Sequence, residues 1–509
     1  MRLHAVAHFS LLSALFLSST GYALPGRALA EHTHPTAPAS AAPASPAPAP
    51  ASVVAAAPDA RPAAAVQTPR EALVSWLKPR IPAGGTLIDR VDAPVAVAHV
   101  ARQGETVESV ADAYLDLTDV YLRSDLVAAI VRENALGRAL LAKGPLAKGT
   151  RIVIPRIVSA PRETIEGARL PAAKPGEPMR GLYMRGQTAG TANYTRILDR
   201  MAQHGLNALV LDTKDYDGWL TYPSQVPLAK EAGAIKSPPI ADLRRTIRFA
   251  HDRGIRVIMR VSCFDDELMA KARPRLSVQS KAGRAYPIGW LDPSNEEAQG
   301  YILALVEEAL QAGADEIQLD YMRYPVLGIK NANFKLAERN LTQTVVIRDF
   351  VRRVHHVTQS RGVPLSLDIF GVVAFGHRSD IEGLGQDPAM LATECEALSP
   401  MVYPSHYAKG FNGWDEPGDH PEIVGMGTKA IRELIASQGI KGGAVIRPWL
   451  QAMHYKSPSF SPRYLAEEMR TGESAGASGW LMWNPGQDYG YTWAVASRQE
   501  KRGPTARKP

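Results

Sequence analysis

Two aspartates close short apolar runs and could work as a pair. Asp320 ends Ile317-Gln-Leu in the stretch GADEIQLDYMRYP (313–325), and Asp368 follows Leu365-Ser-Leu. One carboxylic acid can protonate a leaving oxygen while a second carboxylate attacks or activates water. That is the equipment for cleaving an acetal between sugars. An arginine beside one of them keeps it ionised and separates the two protonation states. Other chemistries find no support in the sequence. It holds no Gly-x-Ser-x-Gly elbow, no P-loop and no dinucleotide-binding glycine turn. His355-His356 falls in an expected helix, where packing or solvation suits it better than ligation, and neither a metal nor a cofactor is expected.

Such residues need strand ends to hold them. From Arg180 onward short apolar runs alternate with amphipathic stretches. Strands are expected at 181–184, 208–212, 256–261, 316–320, 365–369, 398–403, 444–449 and 479–483. Helices are expected between them, near 194–204, 241–253, 296–311, 342–360, 387–394, 422–437 and 461–475. Several end in glycine just before the next strand, as in His204-Gly205, Arg253-Gly254 and Ala312-Gly313, the usual helix stop. Eight strands alternating with helices predict an α/β fold, a (β/α)8 TIM barrel. A doubly wound open sheet is the runner-up, weakened by the missing glycine turn after the first strand.

A barrel enzyme builds its site at the outgoing strand ends, and polar residues gather there. Asp320 is expected as nucleophile or principal carboxylate and Asp368 as acid/base. Substrate contacts are expected from Asp212, Asp215, Arg260, Arg323, Tyr324, Tyr403, His406, Arg447, Trp449, Trp483 and Asn484. Asp212 and Asp215 are also the reserve carboxylates. Against this stands a plain alternative: each acid makes a structural pair with Arg185, Arg260, Arg323 or Arg447, and the tryptophans pack the core. Two carboxylates facing one open groove favour an enzyme. Two locked in arginine pairs favour a binding protein.

The rest of the 509-residue chain reads as a delivery apparatus. Residues 1–30 carry Arg2, an apolar centre at 11–17 and Ala28-Leu-Ala, as an export signal does. The alternative is an uncleaved anchor helix. Residues 31–97 form an Ala/Pro-rich linker, with a short helix around 71–77. Residues 98–156 form a small unit, 157–178 a second linker, 179–495 the barrel, and 496–509 a basic tail. No later segment reaches membrane-spanning length. The net charge of +7 comes without a lysine/arginine block among aromatics, so no nucleic-acid partner is expected. Cys263 and Cys395 fall on opposite barrel faces and are expected unpaired.

Two resemblances add to this. In the small unit, Gly104-Glu-Thr, Asn134 and Lys148-Gly-Thr…Ile152-Val-Ile-Pro in β-α-α-β order resemble a LysM module. Insertions at 116–123 and 137–145 depart from it. LysM modules bind glycans containing N-acetylglucosamine, such as peptidoglycan. In the larger unit, Arg180-Gly-Leu-Tyr, Leu211-Asp-Thr-Lys-Asp, Arg256-Val-Ile-Met-Arg-Val, Glu316-Ile-Gln-Leu-Asp-Tyr-Met-Arg-Tyr-Pro, Ser366-Leu-Asp-Ile-Phe-Gly, Pro400-Met-Val-Tyr-Pro-Ser-His-Tyr and Arg447-Pro-Trp-Leu-Gln are similar to a bacterial "putative glycoside hydrolase" family, formerly a domain of unknown function. That resemblance implies a TIM barrel related to glycosidases. The expectation is an exported glycoside hydrolase of the periplasm, cell envelope or exterior, acting on a polysaccharide or peptidoglycan glycan. The alternatives are a non-catalytic glycan-binding scaffold and a transglycosylase.

Overall fold

The computed structural model describes residues 67–90, 92–136, 144–163, 170–171, 177–326, 331–440 and 442–500. The expected signal, most of the first linker and the end of the basic tail lie outside the described residues.

The small domain begins earlier than the sequence suggests. Helix α1 (Pro69–Leu77) is capped by Thr68, whose hydroxyl accepts from Glu71 N–H while the Glu71 carboxylate reaches back to Thr68 N–H. This reciprocal pair satisfies two otherwise orphaned amides. Strands β1 (Gly85–Ile88), β2 (Ala96–Val100) and β3 (Arg151–Ile154) make an antiparallel sheet in that order, with helices α2 (Val107–Tyr114) and α3 (Arg123–Glu133) between the last two. Leu73, Leu77 and Val95 share one buried cluster with Tyr114, Ile130 and Ile154. The expected linker over 31–97 is therefore corrected: its last part is core. A nine-residue helix followed by Pro/Gly-broken chain shows too little periodicity to announce its burial.

The barrel is built from β4 (Met179–Met184), β5 (Ala208–Lys214), β6 (Arg256–Ser262), β7 (Glu316–Asp320), β8 (Leu365–Phe370), β9 (Ala397–Met401), β10 (Val445–Ile446), β11 (Trp449–Gln451) and β12 (Gly479–Trp483). All pair in parallel. β10 pairs with β9 and β11 with β12, so these two pieces are one seventh strand broken at Arg447-Pro448. Pro448 has no N–H to give the ladder. The ring still closes, because Arg447 N–H donates to Leu398 (2.8 Å) and Leu481 N–H to Pro448 (3.0 Å). Where the last strand meets the first, Gly479 has φ +88 and a Cβ there would stand 1.9 Å from the Met179 carbonyl oxygen. Only glycine permits that approach.

Strand alternation sorts the side chains. Leu209, Leu211, Val257, Met259, Ile317, Leu319, Leu365 and Leu367 point outward and pack beneath the helices in the large core. Tyr183, Ala208, Val210, Ile258, Tyr403, Trp449 and Leu481 point inward and fill the barrel. The helices needed here are α4 (Gly186–Ala189), α5 (Asn193–Gln203), α6 (Pro227–Glu231), α7 (Leu243–His251), α8 (Glu267–Ala272), α9 (Glu296–Ala312), α10 (Gln343–Ser360), α11 (Arg378–Leu384), α12 (Pro388–Leu391), α13 (Ile423–Ser437), α14 (Pro462–Ser474) and α15 (Gly490–Glu500). α15 buries Trp493, Val495 and Ala496, so the chain remains structured past the expected start of the basic tail. Cys263 and Cys395 are both buried free thiols. Among the described residues no helix is long and apolar enough to cross a membrane.

One buried acid bears on stability. Glu468, on α14, is fully buried and neither carboxyl oxygen meets a good hydrogen-bond donor. Burial raises its pKa well above the ordinary 4.5, and the Gln451 backbone offsets this only in part. A carboxyl with a raised folded pKa favours the native state fully below its unfolded pKa. That contribution is lost as pH rises toward the folded pKa. Glu468→Gln, which cannot ionise, should therefore flatten the decline in melting temperature above pH 4.5. Equal slopes for wild type and variant in thermal unfolding at pH 4.5–8 would refute this.

Candidate active site

The inward positions at the outgoing ends of the strands form one ring, with a residue from each of the eight. They are Tyr183, Asp212, Arg260, Asp320, Asp368, Tyr403, Trp449 and Trp483. Register sets Asp212 level with Arg260 across β5–β6, while Asp320 is level with Ser262, two residues farther along β6, so the long Arg260 side chain spans the step between them.

Arg260 is the hub. Its Nη1 donates to Asp212 Oδ1 and its Nη2 to Asp320 Oδ2, with Nε 3.2 Å from the same Asp320 oxygen. Nε also lies 3.6 Å from Asp368 Oδ2. One guanidinium thus faces three carboxyl groups, and its proton is held more tightly than usual. Asp320 Oδ1 accepts from the N–H of Tyr321 at 2.6 Å. Tyr321 has φ +51, a left-handed conformation that costs a non-glycine residue roughly 1–2 kcal/mol. The chain thus turns sharply just after the carboxylate. Asp212 also accepts from the Tyr183 hydroxyl, and burial raises its pKa.

Asp368 differs from its neighbours. Its Oδ1 accepts from Trp449 Nε1 at 2.6 Å, and its Oδ2 accepts no hydrogen bond. Burial, reinforced by the charge of Asp320, raises its pKa well above the usual carboxylate range. An acid that keeps its proton beside one that only accepts hydrogen bonds is an acid/base arrangement.

Aromatic rings line one side. Tyr403 lies 5.0 Å from Trp483 between ring centres and 5.1 Å from His406. Burial, then Lys456, pushes the His406 pKa down to about 4. Asp215 lies in the connection after β5, where its Oδ1 accepts from the N–H groups of Asp217 and Trp219. Burial and the charges of Asp212 and Asp217 push its pKa up to about 7. Asp265, after β6, is pushed up to about 8 by burial.

The structure brings Asp212, Arg260, Asp320, Asp368, Tyr403, Trp449 and Trp483 together, with His406 and Asp215 beside them. It separates four other expected site residues. Arg447 is corrected: its guanidinium pairs with Glu316 inside the barrel and also meets Met179 Sδ (2.6 Å). Glu316 and Met179 begin their strands, so Arg447 sits at the incoming end. Tyr324 is corrected too, being fully buried against Phe334 (4.8 Å), with its N–H donating to Leu384. Asn484 is engaged by backbone, donating to the carbonyl of Ala452, just past β11, and to that of Asp488 in its own loop. Arg323 lies over the faces of Trp290 (4.7 Å), Phe370 (4.8 Å) and Tyr321 (5.4 Å), a support behind the ring. Tyr183 and Tyr321 were missed. Period-two alternation along β4 marks the first, but the chain turn that places the second leaves no sequence signal.

The ring is covered. Asp320 is 5% exposed and Asp368 1%. Two concavities stand out elsewhere. One of about 680 Å3 is lined by Gly84, Arg102, Glu105 and Lys148, and one of about 430 Å3 lies where the small domain meets the barrel. Neither is lined by a residue of the ring, where the charged groups converge. Among the described residues no group of three or more His, Cys, Asp or Glu could hold a metal ion.

A family model described as "Putative glycosyl hydrolase domain" matches residues 181–489. No match was found among curated proteins. Similar solved structures include a hypothetical protein from Ruminiclostridium thermocellum, 33% identical, with 37% of this chain and 96% of that one covered and a TM-score of 0.34. The spore cortex-lytic enzyme SleL of Bacillus megaterium is 12% identical over 79% of this chain and 85% of that one, with a TM-score of 0.38. A chitinase from Chromobacterium violaceum is 15% identical over 63% of this chain and 98% of that one, with a TM-score of 0.39.

Proposed function

The chain belongs to the glycosyl hydrolase family whose model spans its barrel, and on that premise we propose that it cleaves glycosidic bonds with Asp320 and Asp368. Asp368 gives its proton to the leaving oxygen while an Asp320 oxygen forms a bond to the anomeric carbon, so that the glycosidic C–O bond breaks. Asp368, now a carboxylate, takes a proton from water. The resulting hydroxide attacks the anomeric carbon, frees Asp320 and releases the sugar. Arg260 orients Asp320 and Asp212, and Asp212 with Tyr183 is available to hold a sugar hydroxyl.

The observation that carries this reading is that Asp320 Oδ2 and Asp368 Oδ2 both lie within 3.6 Å of one atom, Arg260 Nε. Retaining glycosidases keep their carboxyls about 5 Å apart, and inverting ones leave room for a water. Two acids on one nitrogen fit the retaining spacing. The substrate we infer is a cell-envelope or extracellular polysaccharide, reached after export directed by residues 1–30. The small domain would be a LysM-like glycan binder, its open groove lying beside Arg102, Glu105 and Lys148. A transglycosylase would use the same pair with a sugar acceptor in place of water.

A second reading has its own support. The closed ring, with Asp212 and Asp320 in contact with Arg260, suits a glycan-binding scaffold. Release of reducing ends from a panel of envelope and extracellular glycans separates the two. Release with retained anomeric configuration supports the enzyme. No release from any glycan, alongside sedimentation of the protein with peptidoglycan, sinks it in favour of the scaffold. Because Asp368 must carry a proton, wild-type activity should fall as pH rises through its raised pKa. Asp368→Asn should remove that alkaline limb and cut polymer cleavage by about 10²–10⁴-fold. For aryl glycosides of the same sugar, whose leaving groups need no proton, kcat/KM should be largely spared while kcat falls, because the second step still lacks the base that activates water. Equal losses of kcat/KM on both substrates would take the acid role from Asp368.

A further inference from the structure

The segment 115–122 follows α2 and overlaps 116–123, one of the two insertions that depart from the LysM pattern. It also makes side-chain hydrogen bonds to the barrel. Arg245, on α7, is 5% exposed and directs its guanidinium into this segment. Its Nη1 donates to Asp116 Oδ1 (2.7 Å), its Nε to the Tyr121 carbonyl (3.1 Å) and its Nη2 to the Val120 carbonyl. The Tyr121 ring lies 4.8 Å from Tyr194 and 5.0 Å from Phe249. Its hydroxyl donates to the Ala189 carbonyl (2.7 Å) and stands 3.0 Å from Thr246 Oγ1. If the segment left, these hydrogen bonds would break and the Tyr121 ring would lose its contacts with Tyr194 and Phe249, which makes separation costly.

Ala189 matters because of what it adjoins. It ends α4, the first turn after β4. α4 is pressed against Thr221, since a Cβ at Gly186 would stand 2.3 Å from Thr221 Cβ. Thr221 in turn donates its hydroxyl to the Asp212 carbonyl (2.8 Å) and its N–H to Thr213 (3.0 Å). A continuous set of contacts therefore runs from the Tyr121 hydroxyl to the backbone of Asp212 in the carboxylate ring. The small domain's groove lies beyond the other end of α2, which is about 12 Å long at 1.5 Å per residue. Docking leaves that groove uncovered.

We propose that the small domain is locked to the barrel through Asp116, Tyr121 and Arg245 as one cooperative unit, and that this lock positions α4, Thr221 and, through them, Asp212. The small domain is then a fixed part of the catalytic unit instead of a module swinging on a tether. Tyr121 is a positioning residue in this arrangement, and its role does not depend on the glycosidase reading.

The test uses the full chain and needs no turnover. Asp116 is 68% exposed on its side chain, so Asp116→Arg leaves the core intact while setting a like charge against Arg245 and Arg248. Tyr121→Ala removes the ring and the hydroxyl independently. Wild type should unfold in one calorimetric transition, and each variant in two. Amide exchange at 186–190 and at Thr221 should accelerate at least tenfold in both variants, with α10 unchanged. If Tyr121→Ala fails to fold, Tyr121→Phe is read by exchange at 189–190 alone, where acceleration supports the lock and an unchanged rate opposes it. Two transitions in wild type, or unchanged exchange in the variants, would overturn the proposal.

Discussion

Asp320→Asn should abolish glycan cleavage, lowering kcat by ~10³-fold or more while leaving the fold intact. Asparagine keeps the shape of the side chain, and its carbonyl oxygen can still accept from Arg260 in the place of Oδ2, while its amide nitrogen replaces the Oδ1 that accepts from Tyr321 N–H. What it loses is the charge that attacks the anomeric carbon. The loss should appear in kcat and kcat/KM together, as expected for an interaction made in the transition state. Azide supplied to Asp320→Ala can take the vacated place and form a glycosyl azide of inverted configuration, whereas the same anion with Asp368→Ala would give the retained product. Full activity in Asp320→Asn would remove Asp320 from the chemistry, with Asp212 next to be tried.

Arg260→Met should cost both stability and activity. It removes the one guanidinium facing Asp212, Asp320 and Asp368, leaving buried carboxyls without their counter-charge. Breaking a buried pair in this way costs about 3–5 kcal/mol, which corresponds to a fall in melting temperature of roughly 5–15 °C for a domain of this size. The sign with pH is definite. Burial already raises the pKa of Asp212 and of Asp368, and removing Arg260 raises both further. Stability tied to raised folded pKa values is present at low pH and lost as pH rises. The deficit of Arg260→Met relative to wild type should therefore be smallest near pH 4 and grow toward pH 8. A deficit independent of pH would mean that Arg260 supports the barrel by packing alone.

The barrel was readable because its outward faces, such as Leu209/Leu211 and Ile317/Leu319, make short apolar runs that differ in period from the helices. Asp212, Arg260, Asp320 and Asp368 were readable as polar residues closing those runs. Arg447 was not. Strands in a barrel are tilted and staggered, so a position late in one strand can be level with the start of another, and Arg447 meets Glu316 for that reason. Tyr324 was misplaced because Tyr321 turns the chain through a left-handed conformation, carrying Met322 and Tyr324 into the core. The membership of α1 and β1 in the small domain was hidden by their shortness. The ring's closure is a property of side chains from eight strands meeting, which no single stretch of sequence records.

The pairing of β12 with β4 has a consequence in time. The first strand of the barrel finds one of its two neighbours only when the last strand has been made. At about 5–20 residues per second, the roughly 300 residues between them take on the order of 15–60 s to synthesise. Through that interval Met179–Met184 has one edge unpaired, on a segment that carries Tyr183 of the carboxylate ring. The partly made barrel is thus exposed to sticking and proteolysis at its first strand, and a nascent chain truncated before Gly479 would carry that open edge permanently.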